Sequence, residues 1–460
     1  MKIFSVWLSI LFVMPAYAFE LPLPVQSFQT DGTFVTLSSN SSLDVPESIL
    51  SKFNASINEI RKTISSYPQK VHPISIRIEI AKFVGNLPKN IRDALTLHKE
   101  SYWIGTSSKD IHIMASNDAG ALHALTTLEG ITSRNNGLMP IGNIIDWPTL
   151  KFRGVLIVPG PGVTSSDLIR AISEARKARM NALIFYINRR LAFETFKGTA
   201  PPGALSLQEI REIVAYANSS GLEVIPLINL LSHQSNVGLM QDAKKLGIAH
   251  SMYNDDTYDP ADAGNYKIVF SFLNEIIDVM HPRKIHIGHD EVRGCYPKHQ
   301  KSMLENGQNM LSSTLFLKDV LKLYDFLKMH DIETWMWGDM LLPREEFPQM
   351  HRDGLNGSFP GYGKSLRRQL PKEIVITDWH YKDEQKTFPS TKAFADEGFH
   401  VVGTTWKNPS TITNFTKYMS SEVGPNGLGM VAGIWGFWQL SSTERNDLIS
   451  VSGNMFWDGK

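Results

Sequence analysis

From Phe152 onward, short apolar runs alternate with amphipathic segments, and this alternation restricts the chain to few folds. The runs cover 154–158, 182–187, 223–228, 284–287, 333–337, 374–377, 400–404 and 429–435. Each has strand length, while 167–179, 206–218, 261–280 and 312–329 repeat their apolar residues at helical spacing. Ser206 and Glu209 form a capping box at the start of one such helix, and Gly221 stands where it should end. Strands joined through helices run parallel, and eight of them over roughly 300 residues suit a closed (β/α)8 barrel, an α/β fold of TIM type. An open doubly wound sheet is the structural alternative. No Gly-x-Gly-x-x-Gly or phosphate-loop motif accompanies it.

At 460 residues the chain exceeds one ordinary core, so a second unit is expected. Residues 19–147 read as a small α+β domain preceding the barrel of 148–460. Ile74, Ile76, Ile78 and Ile80 alternate with polar residues as in a half-buried strand. Runs 102–105 and 110–114 flank a polar turn and suggest a hairpin. Helices are expected over 118–131 and between Pro46 and Ser65.

Residues 1–18 have a different character. Lys2, the apolar stretch 3–13 and Ala16-Tyr17-Ala18 have the form of a cleaved secretion signal, which predicts export to a periplasm or the exterior. An uncleaved anchor is the alternative. No later run is long and apolar enough for a transmembrane helix, so stable membrane insertion is not expected. Cys295 is the one cysteine, so no internal disulfide can form. Lys plus Arg and Asp plus Glu both number 46. That balance gives no electrostatic reason to bind nucleic acid or an anionic membrane and points to a neutral partner such as a sugar.

The stretch from Lys284 to Val292 concentrates the chemistry. Strand alternation directs Ile285 and Ile287 to the surrounding helices and His286 and Gly288 to the barrel axis. Asp290 and Glu291 then fall at the C-terminal rim, where barrels carry their active sites. Adjacent carboxylates repel, so one should hold its proton while the other stays ionised. Glycoside hydrolysis uses that division between an acid and a charge-stabilising anion. A helix N-cap is the bland alternative.

His286-Ile287-Gly288-His289-Asp290-Glu291 resembles the His-x-Gly-Gly-Asp-Glu signature of glycoside hydrolase family 20, the β-N-acetylhexosaminidases. Ile145-Asp146-Trp147-Pro148 leading to Phe152-Arg153-Gly154, the segment 205–226, Ser232-His233, and the helix opening at Asp118 also resemble that family. The resemblance implies a retaining mechanism assisted by the substrate's own acetamido group. Asp290 would hold the acetamido N–H, Glu291 would be the acid and base, and no cofactor or metal would be required. The implied partner is a glycan with a terminal N-acetylhexosamine.

By the same resemblance Arg153 would bind sugar hydroxyls, with a barrel-bottom ion pair as the alternative. His233 would stand near the acid, or else be a core histidine. Trp337, Trp406 and Trp435 end strands and could wall a sugar pocket or fill core. Asp378 and Tyr381 are further candidate contacts, Tyr381 for the acetamido oxygen.

The chain also departs from the family pattern. It has 185–190 in place of a Trp-His-x-x-Asp segment, Pro159 where an acid is expected, Phe437 for a glutamate, and His289 crowding the strand end. Arg189 and Arg190 would favour an acidic substrate group or simply lie in a solvated loop. Two rival functions stay open: a glycan-binding protein without activity, and a metal-dependent hydrolase built on His286, His289, Asp290 and His233.

Overall fold

The computed structural model describes residues 19–459 except 71, 82–84, 86, 189, 235–238, 249, 255, 293–310 and 358–362. The expected secretion signal, Arg189 and Cys295 lie outside the described residues.

The N-terminal sheet contains β1 (Ser27–Thr36), β2 (Ser42–Asp44), β3 (Ser75–Ile80), β4 (Tyr102–Thr106), β5 (Asp110–Ala115) and β6 (Leu138–Asp146), in the order β1-β6-β4-β5-β3-β2. The hairpin expected from 102–114 is the antiparallel pair β4–β5. Helix Asp118–Arg134 begins where the Asn117 side chain accepts from Gly120 N, and its Ala121, Leu125 and Leu128 share a core with Ile76, Ile104 and Ile113. The single helix expected before Ser65 is two, Glu47–Lys52 and Asn54–Ser65. Phe53 leaves helical geometry at φ −124° and packs toward the domain core.

Eight parallel strands close the second unit: β7 (Phe152–Ile157), β8 (Ala182–Ile187), β9 (Glu223–Leu230), β12 (Lys284–Gly288), β13 (Glu333–Trp337), β14 (Val375–Trp379), β15 (Val401–Thr405) and β16 (Gly427–Ile434). The short strands β10 (Met252–Asn254) and β11 (Thr257–Tyr258) pair between β9 and β12. Closure excludes the open sheet. All six residues of β8 are buried because both faces of a barrel strand are covered. Leu183, Phe185 and Ile187 meet the helices, while Ala182, Ile184 and Tyr186 join Leu156, Ile225, Trp335 and Val402 inside the barrel. The capping box of Ser206 and Glu209 opens helix Leu207–Ser219 as expected. Buried arginines join the two units: Arg179 pairs with Asp146 at 2.9 Å, and the last helix, Ser442–Asp458, sends Trp457 into the N-terminal core. Among the described residues no helix is long and apolar enough to cross a membrane.

Candidate active site

β12 reads as its alternation requires. Ile285 and Ile287 join the outer core, and His286 turns inward, its ring centroid 4.6 Å from that of Trp337. His286 Nδ1 accepts from Gly288 N at 3.1 Å, and its Nε2 shares a 2.6 Å hydrogen bond with Thr377 Oγ1. Beyond the strand the backbone turns sharply through left-handed residues: Gly288 (φ +76°), His289 (φ +69°) and Glu291 (φ +46°). A Cβ on Gly288 would stand 2.9 Å from the Ile228 carbonyl oxygen, so only glycine fits there.

His289 corrects the expectation that it crowds this strand end. The left-handed turn throws its side chain outward and buries it completely. Its Nε2 lies 2.8 Å from Asp319 Oδ2, and Asp319 also accepts from the hydroxyls of Tyr258 and Tyr266. The same turn delivers Asp290 and Glu291 into a cavity of about 250 Å³ that Tyr186, Asn229, His233, Trp337, Trp379, Tyr381, Trp406 and Trp435 complete. His233 Nε2 sits 3.3 Å from Asp290 Oδ2 and 3.7 Å from Glu291 Oε2.

The charges in this cluster are set by burial against pairing. Burial disfavours charge on His233, but the Asp290 carboxylate beside it wins and carries the imidazolium up to about 9. Burial likewise favours the neutral form of Asp290, and the His233 charge overcomes it, holding Asp290 below its ordinary value. A third carboxyl, Asp339, lies beneath them. Its Oδ2 accepts from Glu291 N at 3.0 Å and Asn356 Nδ2 at 2.8 Å. Burial first, and then the Asp290 charge, push Asp339 up to about 8. The retained proton that the sequence assigned within the Asp290–Glu291 pair therefore also has a holder the sequence did not signal.

The aromatic walls are cross-braced. Trp435 Nε1 donates to Tyr381 Oη at 2.8 Å, the Tyr381 ring stacks on Trp379, and Asn229 Nδ2 donates to Tyr186 Oη. Several buried polar atoms of the lining have no partner among the described residues: Asp290 Oδ1, Asn229 Oδ1, Trp337 Nε1 and Trp406 Nε1. Buried polar groups are normally satisfied, so their concentration in one cleft suits a polar ligand.

Two expected sugar contacts lie elsewhere. Arg153 belongs to the N-terminal end of β7, at the barrel floor. Its guanidinium bonds Glu100 at 2.6 Å and the Leu150 and Arg179 carbonyls, which makes it the ion pair weighed as its alternative. Asp378 has the opposite strand parity to Thr377 and Trp379, so it faces helix Pro389–Asp396. There it accepts from Ser390 and Thr391 and lies 3.2 Å from His380 Nε2. Phe437 is buried in the outer core under the Arg445 guanidinium, away from the pocket wall. Arg190 folds along its loop toward the Pro202 carbonyl.

The metal site drawn from His286, His289, Asp290 and His233 does not assemble, because His289 points away and His286 is engaged on both nitrogens. His233, Asp290 and Glu291 do bring ligand atoms within 4.8 Å of one another.

The model of the glycosyl hydrolase family 20 catalytic domain matches residues 174–409, more than half of the chain. This chain belongs to glycoside hydrolase family 20. Domain 2 of the family matches residues 21–147 of this family 20 chain, the sheet unit. The β-hexosaminidase of Emericella nidulans is 21% identical over 83% of the family 20 chain and 70% of its own length. The probable β-hexosaminidase of Arthroderma benhamiae is 25% identical over 63% of this chain and 50% of its own. The chain thus spans between half and 70% of these two relatives. Its fold matches the crystal structure of an exo-β-N-acetylglucosaminidase from Vibrio harveyi, solved with N-acetylglucosamine. The TM-score is 0.66 at 16% identity, covering 96% of this chain and 75% of that one.

Proposed function

We propose that the chain is an exported, exo-acting β-N-acetylhexosaminidase that cleaves terminal 2-acetamido sugars by retaining, substrate-assisted hydrolysis. The observation that carries this reading is Asp290, an anion stabilised by His233, next to Glu291 in an aromatic pocket. The names of the curated relatives support the substrate class.

In the first half-reaction the acetamido oxygen attacks the anomeric carbon, and the glycosidic C–O bond breaks as Glu291 gives its proton to the leaving oxygen. An oxazoline results. Asp290 accepts the acetamido N–H and stabilises the positive charge that grows on that group. Tyr381 Oη accepts from Trp435 Nε1, which leaves its own proton to donate to the acetamido oxygen. In the second half Glu291 takes a proton from water, which opens the oxazoline with net retention.

Aryl glycosides with and without the 2-acetamido group test this directly. The acetamido substrates should be hydrolysed with the β anomer released first, and a plain glucoside should be inert. Comparable turnover of the glucoside refutes substrate assistance. Glu291→Gln should lower kcat by about 10²–10⁴-fold. Equal, negligible turnover by both forms, with binding intact, would instead make the chain a glycan-binding protein.

A further inference from the structure

Trp379 and Tyr381 both line the pocket, and His380 between them points the other way. His380 is buried against the rings of Phe388 and Phe415, at centroid distances of 5.3 and 5.2 Å. In that apolar setting both of its nitrogens meet carboxylates. Nδ1 lies 2.8 Å from Asp383 Oδ2, and Nε2 lies 3.2 Å from Asp378 Oδ2 and 2.9 Å from Ser390 Oγ. Burial disfavours charge on the ring, but the Asp378 and Asp383 carboxylates outweigh it and hold the imidazolium up to about 9. Both nitrogens are then donors. A buried triad of this kind often stabilises a fold no better than apolar packing of equal volume would. What it does here is fix a loop.

Asp383 is the junction. Its Oδ1 accepts from His351 N and Gln385 Nε2, so the loop after β14 grips the loop that follows β13. That second loop, 351–356, lies between two parts of the site. On one side Gly354 approaches the backbone of Trp379, where a Cβ would stand 3.0 Å from the carbonyl oxygen. On the other, Asn356 N donates to the Asp339 carbonyl at 2.9 Å, and Asn356 Nδ2 donates to Asp339 Oδ2 at 2.8 Å. Asp339 Oδ2 in turn accepts from Glu291 N. A continuous chain thus runs from His380 through Asp383, the loop and Asp339 to the backbone of Glu291, while Tyr381 directly follows His380. The two groups it joins are the proposed acid and the proposed donor to the acetamido oxygen.

We infer that His380 is a positioning residue that sets Tyr381 and Glu291 in register with each other across one 2-acetamido sugar. This rests on the hexosaminidase reading above. His380, Asp383 and Asn356 are not among the residues that line the pocket, so the tie acts on geometry and not on the grip of the sugar. Geometry of this kind governs the chemical step, where a misplacement of about 1 Å costs up to about 10²-fold in rate.

The test measures kcat and KM on an aryl β-N-acetylglucosaminide, with melting curves to establish that each variant is folded. His380→Phe keeps an aromatic ring against Phe388 and Phe415 but removes the bonds to both carboxylates. It should lower kcat about 10–10²-fold with KM within about threefold. Asn356→Ala cuts the same chain at its far end and should do likewise. Because both cuts fall on one chain, the double variant should lose no more than the worse single one, whereas independent sites would multiply their losses. Multiplied losses, a KM that rises while kcat holds, or a melting point that falls with kcat unchanged overturn the positioning role. Should His380→Phe not fold, His380→Gln, which keeps one donor, takes its place in the cycle with the same expectation. If the unaltered protein cleaves nothing, the hydrolase reading fails separately. Hydrogen exchange of the Glu291 amide then judges the tie, and a rate left unchanged in the His380 variant overturns it.

Discussion

Replacing Asp339 by asparagine should stabilise this protein, and by an amount that depends on pH. Asp339 is 1% exposed and holds its proton up to about 8, whereas its ordinary value is 3.8. Between those values the folded state binds a proton that the unfolded state has released, so stability falls as pH rises through this window. At 1.36 kcal/mol per unit, the difference accumulated by pH 7 is on the order of 4 kcal/mol. Asparagine has no proton to lose, and its oxygen can accept from Glu291 N and Asn356 Nδ2 as the carboxyl does. The amide nitrogen would sit at the Oδ1 position, which has no partner among the described residues; the protonated acid bears the same cost, so that contribution cancels. Melting temperatures of the two forms should therefore coincide near pH 4 and separate progressively toward pH 8, with Asp339→Asn the higher. Because the acceptor survives, kcat should change by less than about tenfold. A variant that is less stable at pH 7, by the same margin as at pH 4, would mean that Asp339 is an ionised, well-paired carboxylate and that the reasoning is wrong.

Two further substitutions probe the neighbouring elements. At His289, glycine should be better tolerated than alanine by about 1 kcal/mol, because alanine meets the left-handed cost at φ +69° while both lose the bond to Asp319; denaturant melts showing alanine the more stable would refute the backbone account. Arg153→Ala should lower stability by roughly 1–3 kcal/mol, because the Leu150 and Arg179 carbonyls lose their donor while the half-buried Glu100 keeps only His123 at 3.0 Å, with KM of the folded protein unaltered. A raised KM at unchanged stability would return Arg153 to the sugar.

The barrel was legible because its strands are buried on both faces, which compresses each into an unmistakable apolar run. The runs at 182–187 and 333–337 coincide with β8 and β13. Parity along β12 was equally readable, since Ile285, His286 and Ile287 obey a period fixed by backbone geometry. The same parity governs the other strands. Applied to β14, it sends Asp378 outward once Thr377 and Trp379 face in, and applied to β7 it still leaves open which end of the barrel Arg153 reaches. Position along the strand settles the second question: Arg153 is the second residue of β7, on the floor side, whereas the chemistry belongs to the C-terminal rim.

Past the strand end the period fails, and there the sequence was least informative. After Gly288 the chain runs through left-handed conformations, so neither helix nor strand spacing tells where His289, Asp290 and Glu291 point. In solution terms the elbow is a choice between burying an imidazole against Asp319 or leaving it beside two carboxylates. The first gives His289 a hydrogen-bond partner already braced by Tyr258 and Tyr266, and it frees the pocket for Asp290 and Glu291. Asp339 was invisible for a related reason. It lies close to the Asp290–Glu291 pair only because β12 and β13 are neighbours in the closed barrel, a pairing that brings residues 48 positions apart to one hydrogen bond. Long-range contact of this kind, rather than any local motif, places a protonated Asp339 beneath the pair, and it is what the pH dependence of Asp339→Asn measures.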